Sequence, residues 1–109
     1  ARYEREYGYL IDTHTAVAAD VLAQYRAATG DETLTVFAST ASPYKFCNHV
    51  LTAIGQTPEG DGVELLEQLH SVSGVAIPRR LAALKGKERR FDLTCEKAGM
   101  DGVVLDFLR

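Results

Sequence analysis

The chain has 109 residues, with 12 Lys+Arg against 15 Asp+Glu and a formal net charge of −3. Apolar residues make up 46% and charged residues 25%, the balance of a folded domain, which rules out a disordered chain. The weak negative charge argues against an electrostatic nucleic-acid binder, and no apolar run approaches the ~18–20 residues of a membrane span. The length predicts one domain or a piece of a larger one. Ala1 stands where a free-standing chain would begin with Met, and no basic-then-apolar leader follows it, so the expectation is a fragment.

Residues 1–6 are charged and predicted to be solvated, and residues 7–11 read as a short extended stretch. Asp12 is placed as an N-cap whose carboxylate accepts from the free amides of the next turn. The spacing from Thr13 to Thr29 predicts a helix, with Ala16, Val17, Ala19, Ala23 and Ala27 on one face and Val21, Leu22, Tyr25 and Ala28 widening it. So much alanine implies close packing against a sheet or another helix, and Gly30 closes the helix.

Residues 34–39, Leu-Thr-Val-Phe-Ala-Ser, read as the best strand: short, β-branched, aromatic and bounded by turn residues. The near-continuous apolar run fits a parallel strand covered on both faces. Ser42 as N-cap and Pro43 as first helical residue open a helix to about Ile54, closed by Gly55. Residues 56–62 form a Pro/Gly-rich loop. Residues 63–72 read as a helix with Val63, Leu66, Leu69 and Val72 at core spacing, ended by Gly74. Pro78 opens a short helix through Leu84 that Gly86 stops. Residues 85–90 are basic and solvated, and residues 91–95 read as an edge strand or an extended link. A final helix starts at Gly99 or Asp101 and reaches Leu108, with Val103, Val104, Phe107 and Leu108 turned inward. This order of elements predicts the α/β class, with helices packed on a small, mostly parallel sheet.

Cys47 and Cys95 form no metal-binding spacing and read as reduced, buried thiols. His49 and His70 fall mid-helix and read as surface or rim residues. No Ser/His/Asp order and no Gly-x-Ser-x-Gly elbow supports a hydrolase. The informative stretch is Ser39-Thr-Ala-Ser-Pro-Tyr-Lys-Phe46, which joins an expected strand end to a helix start. In open α/β sheets, ligands bind at that edge. A helix start there favours an anion, with hydroxyls from Ser39, Thr40 and Ser42 and a cation from Lys45. A plain Ser-Pro cap with a solvated Lys45 explains the same residues. The second stretch is Asp12-Thr-His-Thr15, where His14 and Thr15 either meet a ligand or belong to an ordinary capped turn.

In that order, the two stretches resemble the C-terminal part of threonine synthases, which share an Asp-Pro-His-Thr-Ala helix start and a Ser-Thr-Ala-x-Pro-x-Lys-Phe loop. Glu64-Leu-Leu-Glu67, Pro78-Arg-Arg-Leu-Ala-Ala-Leu84 and the terminal helix look similar too, so the resemblance spans nearly the whole chain. Thr13 departs from it, standing where the family usually has Pro.

The resemblance implies a fold type II pyridoxal-phosphate enzyme that converts O-phosphohomoserine and water to threonine and phosphate; the expected compartment, from the reduced thiols, is the cytoplasm. It implies that residues 1–109 are a single C-terminal fragment of the large cofactor-binding domain, part of a three-layer sandwich. It places Thr40 and Ser39 at the cofactor, with the Thr40 hydroxyl facing the ring nitrogen. It places His14, Thr15 and Lys45 at the rim of the substrate site. No catalytic residue and no metal falls in this chain. The family's cofactor-anchoring lysine and phosphate loop lie upstream, so the fragment alone is expected to bind no cofactor and to be inactive. Its expected partners are the substrate and the remainder of the parent chain. Uncovered strand edges also predict self-association, by edge pairing or an exchanged segment. Neither nucleic acid nor membrane is expected. The rival expectation is a non-catalytic α/β module that uses residues 39–46 to bind an anion or a partner.

Overall fold

A computed structural model describes residues 1–88 and 90–109. Every regular element among them is helical: α1 (Arg2–Tyr7), α2 (Thr13–Thr29), α3 (Cys47–Ala53), α4 (Gly62–Ser73), α5 (Arg79–Ala82) and α6 (Met100–Phe107). Tight 3-10 turns, Pro43–Phe46 and Lys97–Gly99, lead into α3 and α6. The expected α/β class, with its small parallel sheet, is therefore overturned: the described residues hold no strand and the architecture is all-α.

The correction turns on residues 34–39. A strand is completed by a neighbour that pairs with its backbone. No described segment forms a ladder with this one, and Leu34 and Val36 are 88% and 86% exposed. Its β-branched side chains express fit to a pleated, half-buried surface, and no such surface is present here. Residues 91–95 likewise form no strand, with Phe91 and Leu93 exposed.

Local signals fare better. Asp12 caps α2, and Gly30 closes it in the left-handed conformation at φ 71°. Ser42 caps the Pro43–Phe46 turn and Pro43 opens it, as the residue types require. Glu64 Oε2 accepts from Asp61 N at 3.1 Å, closing the start of α4. That carboxylate lies over Gly60, where an added Cβ would stand 2.1 Å from it and φ is +75°. Its positive φ is what favours glycine at Gly60, and a side chain there would also push the Glu64 carboxylate off its bond to Asp61 N.

The start of the chain differs from expectation. Residues 2–7 wind into a short helix that Gly8 stops at φ 62°, and the Tyr3 and Tyr7 rings lie 5.8 Å apart along it. The expected basic stretch, residues 85–90, is exposed wherever it is described, although Lys85 pairs with Glu67; Arg89 lies outside the described residues.

The core sits between α3 and α4. Leu51 and Leu69 are fully buried, and Leu10, Tyr44, Cys47, Val50 and Leu66 pack around them. Tyr44 Oη donates to the Val75 carbonyl at 2.5 Å, tying the entry of α3 to the turn after α4. Outside this cluster burial is sparse. The alanine face of α2 buries Ala19 alone, and Val104, Phe107 and Leu108 of the final helix are exposed rather than inward. The radius of gyration is 18.6 Å along a body 59 Å long, against about 13 Å for a compact domain of this length. One small core thus carries long, uncovered apolar elements.

Candidate functional site

Asp12 joins the two stretches singled out in the sequence. Its side chain is fully buried. Oδ1 accepts from His14 N at 2.8 Å and Thr15 N at 3.3 Å; Oδ2 accepts from Thr15 Oγ1 at 2.5 Å and Ser39 Oγ at 3.0 Å. Burial pushes this carboxyl up. The Thr15 hydroxyl, the His14 and Thr15 amides and the Ser39 hydroxyl outweigh burial and hold it at about 2. The group is therefore a carboxylate throughout the neutral range.

Counting protons sharpens the picture. Thr15 Oγ1 and Ser39 Oγ are themselves 2.9 Å apart, so three oxygens form a triangle with Asp12 Oδ2. Each hydroxyl has one proton, and a carboxylate can only accept. Thr15 gives its proton to Asp12 along the shorter edge. Ser39 also turns its proton inward, which leaves it lone pairs, but no proton, for a ligand. Ser39 and Thr40 are both exposed, but no described residue holds the Thr40 hydroxyl. Of the two hydroxyls expected at a cofactor, Thr40 is the free donor and Ser39 is the anchored one.

The stretches meet a second time at His14 and Phe46. Their ring centroids lie 5.2 Å apart, inclined at 57°. His14 Nδ1 also lies 3.4 Å from Asp12 Oδ1, while most of its side chain is exposed. His14, Thr15 and Ser39 are thus brought together around Asp12.

Lys45 is not among them. It lines a broad groove of about 690 Å³ with Tyr44, Cys47, Leu66, Leu81 and Leu84. That groove is the larger cavity, yet its lining is mostly apolar. A pocket of about 340 Å³ lies at the junction, lined by Tyr9, Ile11, Thr15, Phe37 and Ser39. The junction is the better candidate because a buried carboxylate and hydroxyls converge there.

The helix start within the 39–46 loop, expected to offer free amides to an anion, uses some of them internally. Pro43 has no N–H, the Tyr44 amide donates to Ser42 Oγ at 3.3 Å, and the Lys45 amide donates to the Ser42 carbonyl at 3.0 Å. Cys47 is buried and its thiol is pushed up by that burial, which suits packing rather than nucleophilic work. Cys95 is exposed, contrary to the expectation of a buried thiol. His49 and His70 are both exposed, as expected. Among the described residues no group of three or more His, Cys, Asp or Glu could hold a metal, and no helix is long and apolar enough to cross a membrane.

Sequence reasoning took Asp12 only as a helix cap and missed its grip on Ser39. The partner is 27 residues away, and no local pattern announces such a bond. The one available signal was the hydroxyl at Thr15, placed to share the same carboxylate.

A family model described as threonine synthase, C-terminal, matches residues 15–103, taking in Thr15, the loop from Ser39 to Phe46 and α5. No curated protein and no solved structure matches the chain. With the larger part of its length matched, the chain belongs to the threonine synthase C-terminal family.

Proposed function

We propose that this chain forms one wall of the active site of a pyridoxal-phosphate-dependent threonine synthase, whose reaction turns O-phosphohomoserine and water into threonine and phosphate. Family membership supports the reading, and the observation that carries it is the free Thr40 hydroxyl beside the anchored Ser39. These residues fit the cofactor by donor chemistry. A pyridine nitrogen accepts one hydrogen bond, and Thr40 has one unspent proton to give.

The cofactor, when bound, supplies an electron sink for carbanion chemistry. Thr40 orients the ring by donating to its nitrogen. A hydroxyl cannot balance a full positive charge as a carboxylate can, so it favours the neutral ring. Ser39 fixes the loop, and His14 and Thr15 contribute to the rim of the substrate pocket. Lys45 stands at the neighbouring groove and meets a phosphate-bearing substrate only from that side.

The lysine that anchors the cofactor belongs, on this reading, to the upstream part of the parent chain, and the activity to the cytoplasm. The uncovered faces of α2 and residues 34–39 are where that upstream chain packs.

The test uses the full-length parent protein. Release of threonine and phosphate in equal amounts from O-phosphohomoserine is expected, with Thr40→Ala retaining the cofactor but turning over about 10- to 100-fold more slowly. Absence of turnover in a folded, cofactor-loaded protein, or unchanged kinetics for Thr40→Ala, would overturn the assignment.

A further inference from the structure

We propose that Asp12 is a positioning residue for the cofactor-facing loop: by holding Ser39 Oγ, its buried carboxylate sets where the adjacent Thr40 presents its hydroxyl. The inference rests on the reading that Thr40 meets the cofactor ring, and it adds the group that controls how.

Three observations carry it. First, Asp12 is the only buried charged side chain among the described residues, and it lies outside the apolar core between α3 and α4. Second, a helix cap needs only one of its oxygens. Oδ1 serves the His14 and Thr15 amides, while Oδ2 faces the two hydroxyls. Half of the carboxylate is therefore spent on the loop. Third, residues 31–40 contain no helix and no ladder, so their backbone carries no regular pairing to fix it. At the Thr40 end of that segment, the Ser39 hydroxyl bond supplies the anchor that secondary structure does not.

The anchor also sets proton direction. While Asp12 is ionised it draws the Ser39 proton inward, so of the two adjacent hydroxyls Thr40 is the donor left to face outward. An amide in place of the carboxylate undoes this, because the Asn NH2 cannot accept the Thr15 and Ser39 protons that Oδ2 takes up, and the loop loses the bond that places Thr40.

The experiment compares Asp12→Asn, Ser39→Ala, Thr40→Ala and the double variant Asp12→Asn/Thr40→Ala in the full-length, cofactor-loaded parent. Ser39→Ala keeps every α2 capping bond, so it remains informative if Asp12→Asn folds poorly. Two readouts separate positioning from a structural role: the visible absorbance of the bound cofactor and the split between kcat and KM. Asp12→Asn and Ser39→Ala are each expected to shift the absorbance maximum in the direction set by Thr40→Ala and to lower kcat about 5- to 50-fold, with KM little changed. The double variant is expected to be no slower than Thr40→Ala, because Asp12 acts through Thr40.

If Thr40→Ala changes the spectrum while Asp12→Asn and Ser39→Ala do not, Thr40 keeps its role and the positioning proposal fails. Additive losses in the double variant overturn it equally. A Thr40→Ala enzyme with native spectrum and native kcat overturns the underlying reading of Thr40 itself.

Discussion

Thr15 Oγ1 and Ser39 Oγ lie 2.9 Å apart although 24 residues separate them, and both meet the same oxygen of Asp12. Two hydroxyls and one carboxylate therefore bind the start of α2 to the loop that carries Thr40. Each partner removed should weaken the others, because the buried Asp12 carboxylate loses a proton donor. Thr15→Val keeps the shape and deletes the donor. It is expected to destabilise the chain by about 1–3 kcal/mol in urea unfolding and to raise the Asp12 pKa. A native midpoint with an unmoved carboxyl titration would contradict this.

The same carboxylate sets an acid limit on stability. Asp12 titrates near 3.8 when unfolded and about 2 when folded, so the folded state holds its charge more tightly. The contribution is complete above about pH 4–5 and is lost as pH falls toward 2. It amounts to about 1–2 kcal/mol once solvent screening is allowed for. Urea midpoints measured from pH 6 to pH 2 should drop along this limb. In Asp12→Asn the limb should flatten, leaving the slope from other carboxyls. An equally steep limb in Asp12→Asn would contradict the assignment.

Stability should be concentrated in one place. Leu51 and Leu69 are fully buried between α3 and α4, whereas Val36 is almost wholly exposed. Leu69→Ala is expected to cost about 2–5 kcal/mol, the range for a large-to-small change in a packed core. Val36→Ser is expected to stay within about 0.5 kcal/mol, as a surface change does. Comparable losses at the two positions would mean that residues 34–39 belong to a core after all.

These contrasts mark what the sequence could reveal. Helix ends were legible because caps are local: Asp12, Ser42–Pro43, Gly30 and Gly74 each act within a turn. The strand at residues 34–39 was misread because pairing is a relation between segments, and the residues themselves state only a preference. The inward face expected for the final helix failed for the same reason, since periodicity shows which side chains could be buried but not whether anything covers them. The family motifs placed Ser39, Thr40, His14 and Thr15 as candidates. That Asp12 binds three of these motif residues, one of them, Ser39, from 27 positions away, became visible only in three dimensions.

The chain by itself should bind no cofactor covalently and show no threonine synthase activity. Lys85 is engaged with Glu67, and Lys45, Lys87 and Lys97 are exposed, so none of the four has the buried pocket of a Schiff-base lysine. Mixing the chain with pyridoxal phosphate, reducing with borohydride and mapping the product should give scattered, substoichiometric labelling. One stoichiometrically modified lysine would contradict this.

The uncovered surface leads to the last expectation. Leu34, Val36, Val17 and Val21 are exposed, as are Phe107 and Leu108 at the far end of the chain. A monomer rarely leaves extended apolar surface in water, because each Å² withdrawn from it is worth about 25 cal/mol. Residues 34–39 add unpaired backbone groups beside that surface, a second incentive to associate. In the parent enzyme, the rest of the chain would cover these faces. In the isolated chain, other copies should do so, and the weak net charge of −3 offers little repulsion to prevent it. Light scattering across a dilution series is therefore expected to show a mass that rises with concentration. Replacing Leu34 and Val36 with Ser should shift that rise to higher concentration without altering the α3–α4 core. A strict monomer at all concentrations, with low binding of a hydrophobic dye, would mean that the chain closes over its own apolar faces in solution.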